Sequence, residues 1–145
     1  MTISGVILDK RSFDREDLDL SALKRPGISW TEYGHTETPL VNHRINNAEI
    51  VITNKVCLDA VAIASSQKLK LVLIAATGTD NVDLLACKKR GIVVCNTRNY
   101  ATPAVAQHVF TLILNLTTNL VRYQRLVEKN QWQESDVFCL LGSVP

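Results

Sequence analysis

A chain of 145 residues, 46% of them hydrophobic, is long enough to build a globular core of useful size. Sixteen lysines and arginines against 14 acidic residues leave a formal charge of +2, and aromatics make up only 6% with no basic stripe among them. Nucleic acid and anionic membrane surfaces are therefore not expected as partners.

The opening "MTISGVILDK" lacks the basic start and longer apolar core of a signal peptide. The longest apolar run, "VFTLILNL", is far too short to span a bilayer, and a soluble, cytoplasmic protein is the expectation. Cys57, Cys87, Cys95 and Cys139 form no C-x-x-C pair, so zinc is not expected and buried, reduced thiols are.

In chain order, "ISGVIL" reads as a buried first strand and "DREDLDLSALK" as a helix with leucines at helical spacing. "GISWTEY" makes a second strand after the Pro26-Gly27 turn. "TPLVNHRI" reads as a helix with Thr38 as N-cap and Pro39 in its first turn. "AEIVITN" is a third strand, followed by the helix "LDAVAIASSQ". "LKLVLIA" is the fourth strand, "VDLLACKKR" a helix and "GIVVCN" the fifth strand. Strands this apolar, separated by helices, predict an α/β fold with a five-stranded parallel sheet covered by helices on both faces.

The pattern changes near Tyr100, where a domain boundary is expected: residues 1–100 form one domain and 101–145 begin another. Thr102 and Pro103 suit an N-cap and first turn. The helix behind them runs about 27 residues if unbroken, or roughly 40 Å. Val105, Val109, Phe110, Leu112, Ile113, Leu114 and Leu116 make its first half apolar nearly all round, which calls for burial on several sides. The tail after it, with Trp132, Phe138, Leu140 and Leu141, is too apolar to lie free.

Ligands of open parallel sheets sit outside the carboxyl ends of the strands. Those ends here are Leu8-Asp9, Thr53-Asn54-Lys55, Ala76-Thr77-Gly78 and Cys95-Asn96. In "ATGTDNVD", Asp80 is positioned to cap the next helix, with Asp83 in its first turn. The amides of Thr77, Gly78 and Thr79 are then free to hold a small anion, and with one glycine a carboxylate fits better than a phosphate. An ordinary tight turn accounts for the same spacing about as well.

Other residues read more simply. Asp9 lacks the acidic neighbour that phosphotransfer would need and is expected to be solvated or turn-capping. Lys88, Lys89 and Arg90 form a cationic helix end, and His108 suits packing better than catalysis. His35 and His43 lack ligand-spaced partners. The glycines fall at 5, 27, 34, 78, 91 and 142, so no G-x-G-x-x-G and no phosphate loop is present.

Taken together, "TNK…LKLVLIAATGTDNVDLLACKKRGIVVCNTRNYATPAVAQHVFTLIL" resembles the D-isomer-specific 2-hydroxyacid dehydrogenases, in particular the glycerate dehydrogenase/hydroxypyruvate reductase branch, over roughly residues 49 to 133. The resemblance implies a flavodoxin-like substrate domain joined to a Rossmann NAD or NADP domain. It places the substrate carboxylate on the amides of the Thr77–Gly78–Thr79 loop. Asn54 and Tyr100 become further substrate-binding candidates, Tyr100 at the hinge, and the segment from Ala101 to Val105 approaches the nicotinamide. The long helix and the tryptophan-containing loop after it resemble the family's dimerisation arm, which implies a homodimer through residues 103–145.

Family chains are about twice as long, and the matching arginine, glutamate and histidine of catalysis would lie beyond "LLGSVP". His108 and Arg122 match none of them. The expectation is thus the first half of the enzyme, without catalytic residues of its own and inactive alone. The other readings are a stand-alone flavodoxin-like module holding a small carboxylate and an unrelated doubly wound domain.

Overall fold

The structure is a computed structural model and describes residues 2–136. Five parallel strands, β1 (Ile3–Ile7), β2 (Ile28–Glu32), β3 (Ile50–Thr53), β4 (Leu71–Ile74) and β5 (Val93–Asn96), form one sheet in the order β2-β1-β3-β4-β5. This is the flavodoxin-like order, in which the direction of winding reverses between β1 and β3. Helices α1 (Val41–Ile45), α2 (Ala60–Ser65) and α3 (Leu84–Lys89) connect the later strands.

Because side chains alternate along a strand, the register puts Val6, Val51 and Val72 on one face and Gly5, Ile50 and Leu71 on the other. The first face builds the main core: Val6, Leu8, Val51, Val72 and Ile74 pack with Val41 and Ile45 of α1, Ala62 and Ile63 of α2, and Cys87 of α3. Each fully buried side chain of this size contributes about 1.5–3 kcal/mol. On the second face Ile7 and Ile52 are buried, while Trp30 of β2 lies over Gly5. The Trp30 indole N–H donates to the Leu23 carbonyl at 2.7 Å.

Several local expectations are corrected. The segment 14–24 is not a helix, only a 3-10 turn at Ser21–Leu23 preceded by bends. Its aspartates capture backbone donors instead: Asp14 Oδ1 accepts from Glu16 and Leu18, and Asp19 Oδ1 from Ser21. These side-chain bonds compete with helix formation and outweigh the leucine spacing. Thr38 is not an N-cap but opens the 3-10 turn Thr38–Leu40 that leads into α1. Asp83, not Asp80, caps α3, accepting from the Ala86 N–H at 2.8 Å.

The described residues divide into two compact units between Arg98 and Asn99. In the second unit, α4 (Thr102–Thr118) and α5 (Leu120–Glu128) replace the single long helix. The break is at Asn119, whose φ of 53° is left-handed, and the two helices are bent by 58°. Asparagine tolerates that region better than other side chains. The hydroxyls of Thr117 and Thr118 take the carbonyls of Ile113 and Leu114 at 3.0 and 2.6 Å, loosening the last turn. Ala101 rather than Thr102 holds the N-cap position of α4.

No residue of α4 is buried within the described chain, so the burial its composition calls for is not supplied there, and His108 is exposed rather than packed. No single helix among the described residues is long and apolar enough to cross a membrane; α4 and α5 reach that length and composition only as a bent pair. Of the thiols, Cys87 is buried but Cys57 and Cys95 are exposed, contrary to expectation. Cys139, Phe138, Leu140 and Leu141 lie outside the described residues.

Candidate functional site

The carboxyl edge of the sheet brings together segments from four distant parts of the sequence, those that follow β1, β3 and β4 and the end of β5. Asp9 is not solvated, and of its two expected roles the capping of a turn is the one it takes. It is 2% exposed, and its carboxylate accepts the N–H groups of Asn54 (2.9 Å), Lys55 (2.6 Å) and Val56 (3.2 Å). A carboxylate can be buried when several donors satisfy it, and here it fixes the loop after β3. Asn54 is fastened as well, its side-chain nitrogen donating to the carbonyl and hydroxyl of Ser12 at 3.1 and 3.0 Å.

The β3 loop is tied in turn to the loop after β4. Asn81 Nδ2 donates to the carbonyls of Asn54 (3.4 Å) and Val56 (3.1 Å), while the Asn81 carbonyl accepts from the Leu58 N–H at 2.8 Å. Val82 N–H closes a turn on the Thr79 carbonyl at 3.1 Å. At the near end of the loop, Ala75 N–H donates to Thr53 and Thr97 N–H to Ala76, at 2.9 and 3.1 Å. Asn96 Nδ2 donates to the Thr77 carbonyl at 2.7 Å.

Between these clamps the N–H groups of Thr77, Gly78 and Thr79 donate no hydrogen bond among the described residues. Thr77 and Gly78 are exposed and Thr79 half-buried. Three consecutive donors in that state suit an acceptor with two or three oxygens. One negative group stands nearby: Asp80 Oδ1 lies 2.8 Å from where a Cβ on Gly78 would sit.

A crevice of about 710 Å³ opens on the same edge over the loops after β1, β2 and β3, lined among others by Arg11, His35, Glu37, Thr38 and Lys55. Thr77, Gly78 and Thr79 do not line it. Its positive and negative groups balance, so its charge alone favours no ligand. The loop with unpaired donors carries the stronger chemical signal. No group of three or more His, Cys, Asp or Glu residues that could hold a metal occurs among the described residues.

Of the residues singled out from sequence, Asn54, Thr77, Gly78 and Thr79 share this edge. Tyr100, Ala101 and Val105 belong to the second unit, with Tyr100 and Val105 at 65% and 59% exposure. Asp9, Asn81 and Asn96 carry structural weight that sequence reasoning missed. For Asp9 and Asn96 the available signal was a short polar residue at or just beyond the end of an apolar strand, where backbone donors and acceptors need partners; Asn81, well past the end of β4 at Ile74, carries no such mark.

Residues 31–135 match the family described as D-isomer specific 2-hydroxyacid dehydrogenase, catalytic domain. The chain belongs to this family. It is 41% identical over 120 residues to a Haemophilus influenzae protein provisionally named a 2-hydroxyacid dehydrogenase, covering 81% of this chain and 38% of that one. It is 38% identical over 140 residues to a glycerate dehydrogenase of Methylorubrum extorquens, covering 96% and 43%. Among solved structures, D-lactate dehydrogenase of Aquifex aeolicus in complex with NAD and lactic acid superposes with a TM-score of 0.70 at 28% identity, over 87% of this chain and 37% of that one. The chain thus spans about two fifths of the length of these relatives.

NAD is bound in the Aquifex aeolicus structure, yet the residues present in this chain do not fit a dinucleotide. A pyrophosphate cradle needs closely spaced glycines at a helix start. No two glycines of this chain are separated by a single residue.

Proposed function

We propose that this chain is the substrate-binding part of an NAD(P)-dependent D-2-hydroxyacid dehydrogenase. It receives the carboxylate of a small 2-keto or 2-hydroxy acid, such as hydroxypyruvate or glycerate, on the amides of Thr77, Gly78 and Thr79. The observation that carries the reading is the run of three unpaired N–H groups at the carboxyl edge of a flavodoxin-like sheet. Each amide-to-carboxylate bond is charge-assisted and stronger than a neutral one.

In this reading Asn54 and Tyr100 line the substrate's surroundings, and Ala101 and Val105 face the nicotinamide in the parent enzyme. A nicotinamide held there by the parent enzyme would supply or receive the hydride. The residues of this chain bind and orient, and none of them is assigned a proton to transfer, so the chain alone turns nothing over. The exposed apolar side chains of α4, among them Phe110 at 65% and Leu116 at 75%, favour a homodimer through residues 103–145. A cytoplasmic location belongs to the same proposal.

The test is an amide-resolved titration of the chain with oxalate and glyoxylate. Saturable shifts at Thr77, Gly78 and Thr79 are expected; undisturbed amides there at high ligand concentration overturn the reading. Oxidation of NADH or NADPH by hydroxypyruvate in the presence of the chain alone would refute its inactivity.

A further inference from the structure

The loop that offers Thr77, Gly78 and Thr79 contains no rigid secondary structure of its own, yet anion binding requires its N–H groups to converge. In a trans peptide the carbonyl and the following N–H lie in one plane and point in opposite directions. Anchoring a carbonyl therefore aims the next residue's N–H. The Ala76 carbonyl is held by Thr97 N–H, which aims the Thr77 amide; the Thr77 carbonyl is held by Asn96 Nδ2 at 2.7 Å, which aims the Gly78 amide. Beyond the loop, the Thr79 carbonyl is held by Val82 N–H, and the segment that carries it is pinned by the two Asn81 Nδ2 contacts to Asn54 and Val56. Asp9 holds the Lys55 N–H, which turns the Asn54 carbonyl of the same peptide away from it and toward Asn81; the Val56 carbonyl is shared between Asn81 and the Thr53 hydroxyl.

We propose that Asn96 and Asn81 are positioning residues that orient the unpaired amides of the Thr77–Thr79 loop from its two ends. The proposal rests on the carboxylate-binding reading of that loop. Asn96 is the cleaner half of it. Its side chain hangs from the end of edge strand β5 and is partly exposed, with Oδ1 accepting, among the described residues, only from the Arg98 Nε at 3.3 Å. Its loss therefore leaves the core untouched. Asn81 has a double role, since its main chain also carries the Leu58 N–H bond.

The experiment uses the 145-residue chain, isotope-labelled, with oxalate as probe. Asn96→Ala removes the donor; Asn96→Asp keeps the shape but sets an oxygen against the Thr77 carbonyl. Each is expected to weaken oxalate binding about fivefold or more, the equivalent of one net hydrogen bond. Its urea midpoint should stay close to that of the parent chain. Asn81→Asp should weaken binding similarly, and a Val93→Ala control on the same edge strand should not. A direct readout is the Gly78 N–H bond vector from residual dipolar couplings in the ligand-free protein, which should rotate in Asn96→Ala and hold in Val93→Ala. If oxalate binds the parent chain and both asparagine variants equally, or if the Gly78 vector is unmoved by Asn96→Ala, the positioning role is wrong. If the parent chain does not bind oxalate, the carboxylate reading fails, and the dipolar couplings still decide whether Asn96 sets the loop.

Discussion

Gly5 and Trp30 lie directly opposite each other on β1 and β2. A methyl group at residue 5 would overlap the indole: it would contact Cε3, and stand 2.5 Å from Cζ3 and 2.9 Å from Cδ2. Carbon atoms want about 3.5–4.0 Å, so in Gly5→Ala the ring must retreat by roughly 1 Å. That movement pulls Trp30 Nε1 off the Leu23 carbonyl, now 2.7 Å away, for about 1 kcal/mol. Overpacking adds about 1–3 kcal/mol, and the reduced freedom of the unfolded alanine chain returns about 0.4–1 kcal/mol. The net expectation is a loss of about 1–3.5 kcal/mol. The deciding measurement is a double-mutant cycle by urea unfolding, followed by circular dichroism because the indole itself is altered. In a Trp30→Ala background the same glycine substitution should be neutral or slightly stabilising. An equal cost in both backgrounds would refute the steric argument and place the effect in the backbone of β1.

Four further outcomes are expected. Asp83→Ala should destabilise the first unit by about 0.5–2 kcal/mol in urea unfolding, because Asp83 accepts the Ala86 N–H, while Asp80→Ala should cost much less. Asp80→Asn should tighten oxalate binding roughly two- to fivefold by titration, since it removes a carboxylate beside Gly78 whose repulsion in water is about 0.5–1 kcal/mol. In a Cys139→Ser background, a thiol reagent at mildly alkaline pH should modify Cys57 and Cys95 quickly and Cys87 slowly, because Cys87 is buried and burial pushes its thiol up. The hydrogen bond from Lys70 at 2.7 Å holds the Glu49 carboxyl below its ordinary value of 4.5. Its stabilising contribution is therefore present above about that pH and lost as pH falls through the lowered folded value, so Glu49→Gln should flatten the acid limb of the stability curve.

The sheet was legible because each strand is an apolar run bounded by breakers, and a helix period or an Asp-led turn lies between most pairs. Its edge was legible less fully. Gly78 marks the loop after β4 in the sequence, but the partners of that loop come from residues 54, 56, 96 and 97, and nothing local announces them. Asp9 reads as a surface aspartate at the end of "VILD" until the β3 loop is seen to send it three N–H groups. Segment 14–24 misleads in the opposite direction, its leucine spacing being overruled by aspartates that bond to the chain beside them. The break between α4 and α5 was written in "TTN", two hydroxyls followed by a residue at ease in the left-handed region, but the apolar run on either side masked it.

Asp9, Asn81 and Asn96 each fasten a neighbour that lies far along the chain: Asp9 is bonded to residues 45 to 47 positions away, and Asn96 to one 19 away. Contacts of that separation form only after the loops between them have closed, so they come late in folding. The donors at Gly78 would then converge only once every strand has taken its place, and capture of a small acid would double as a gauge of whether assembly has finished. A cell or a chemist could read conformational maturity from ligand occupancy alone.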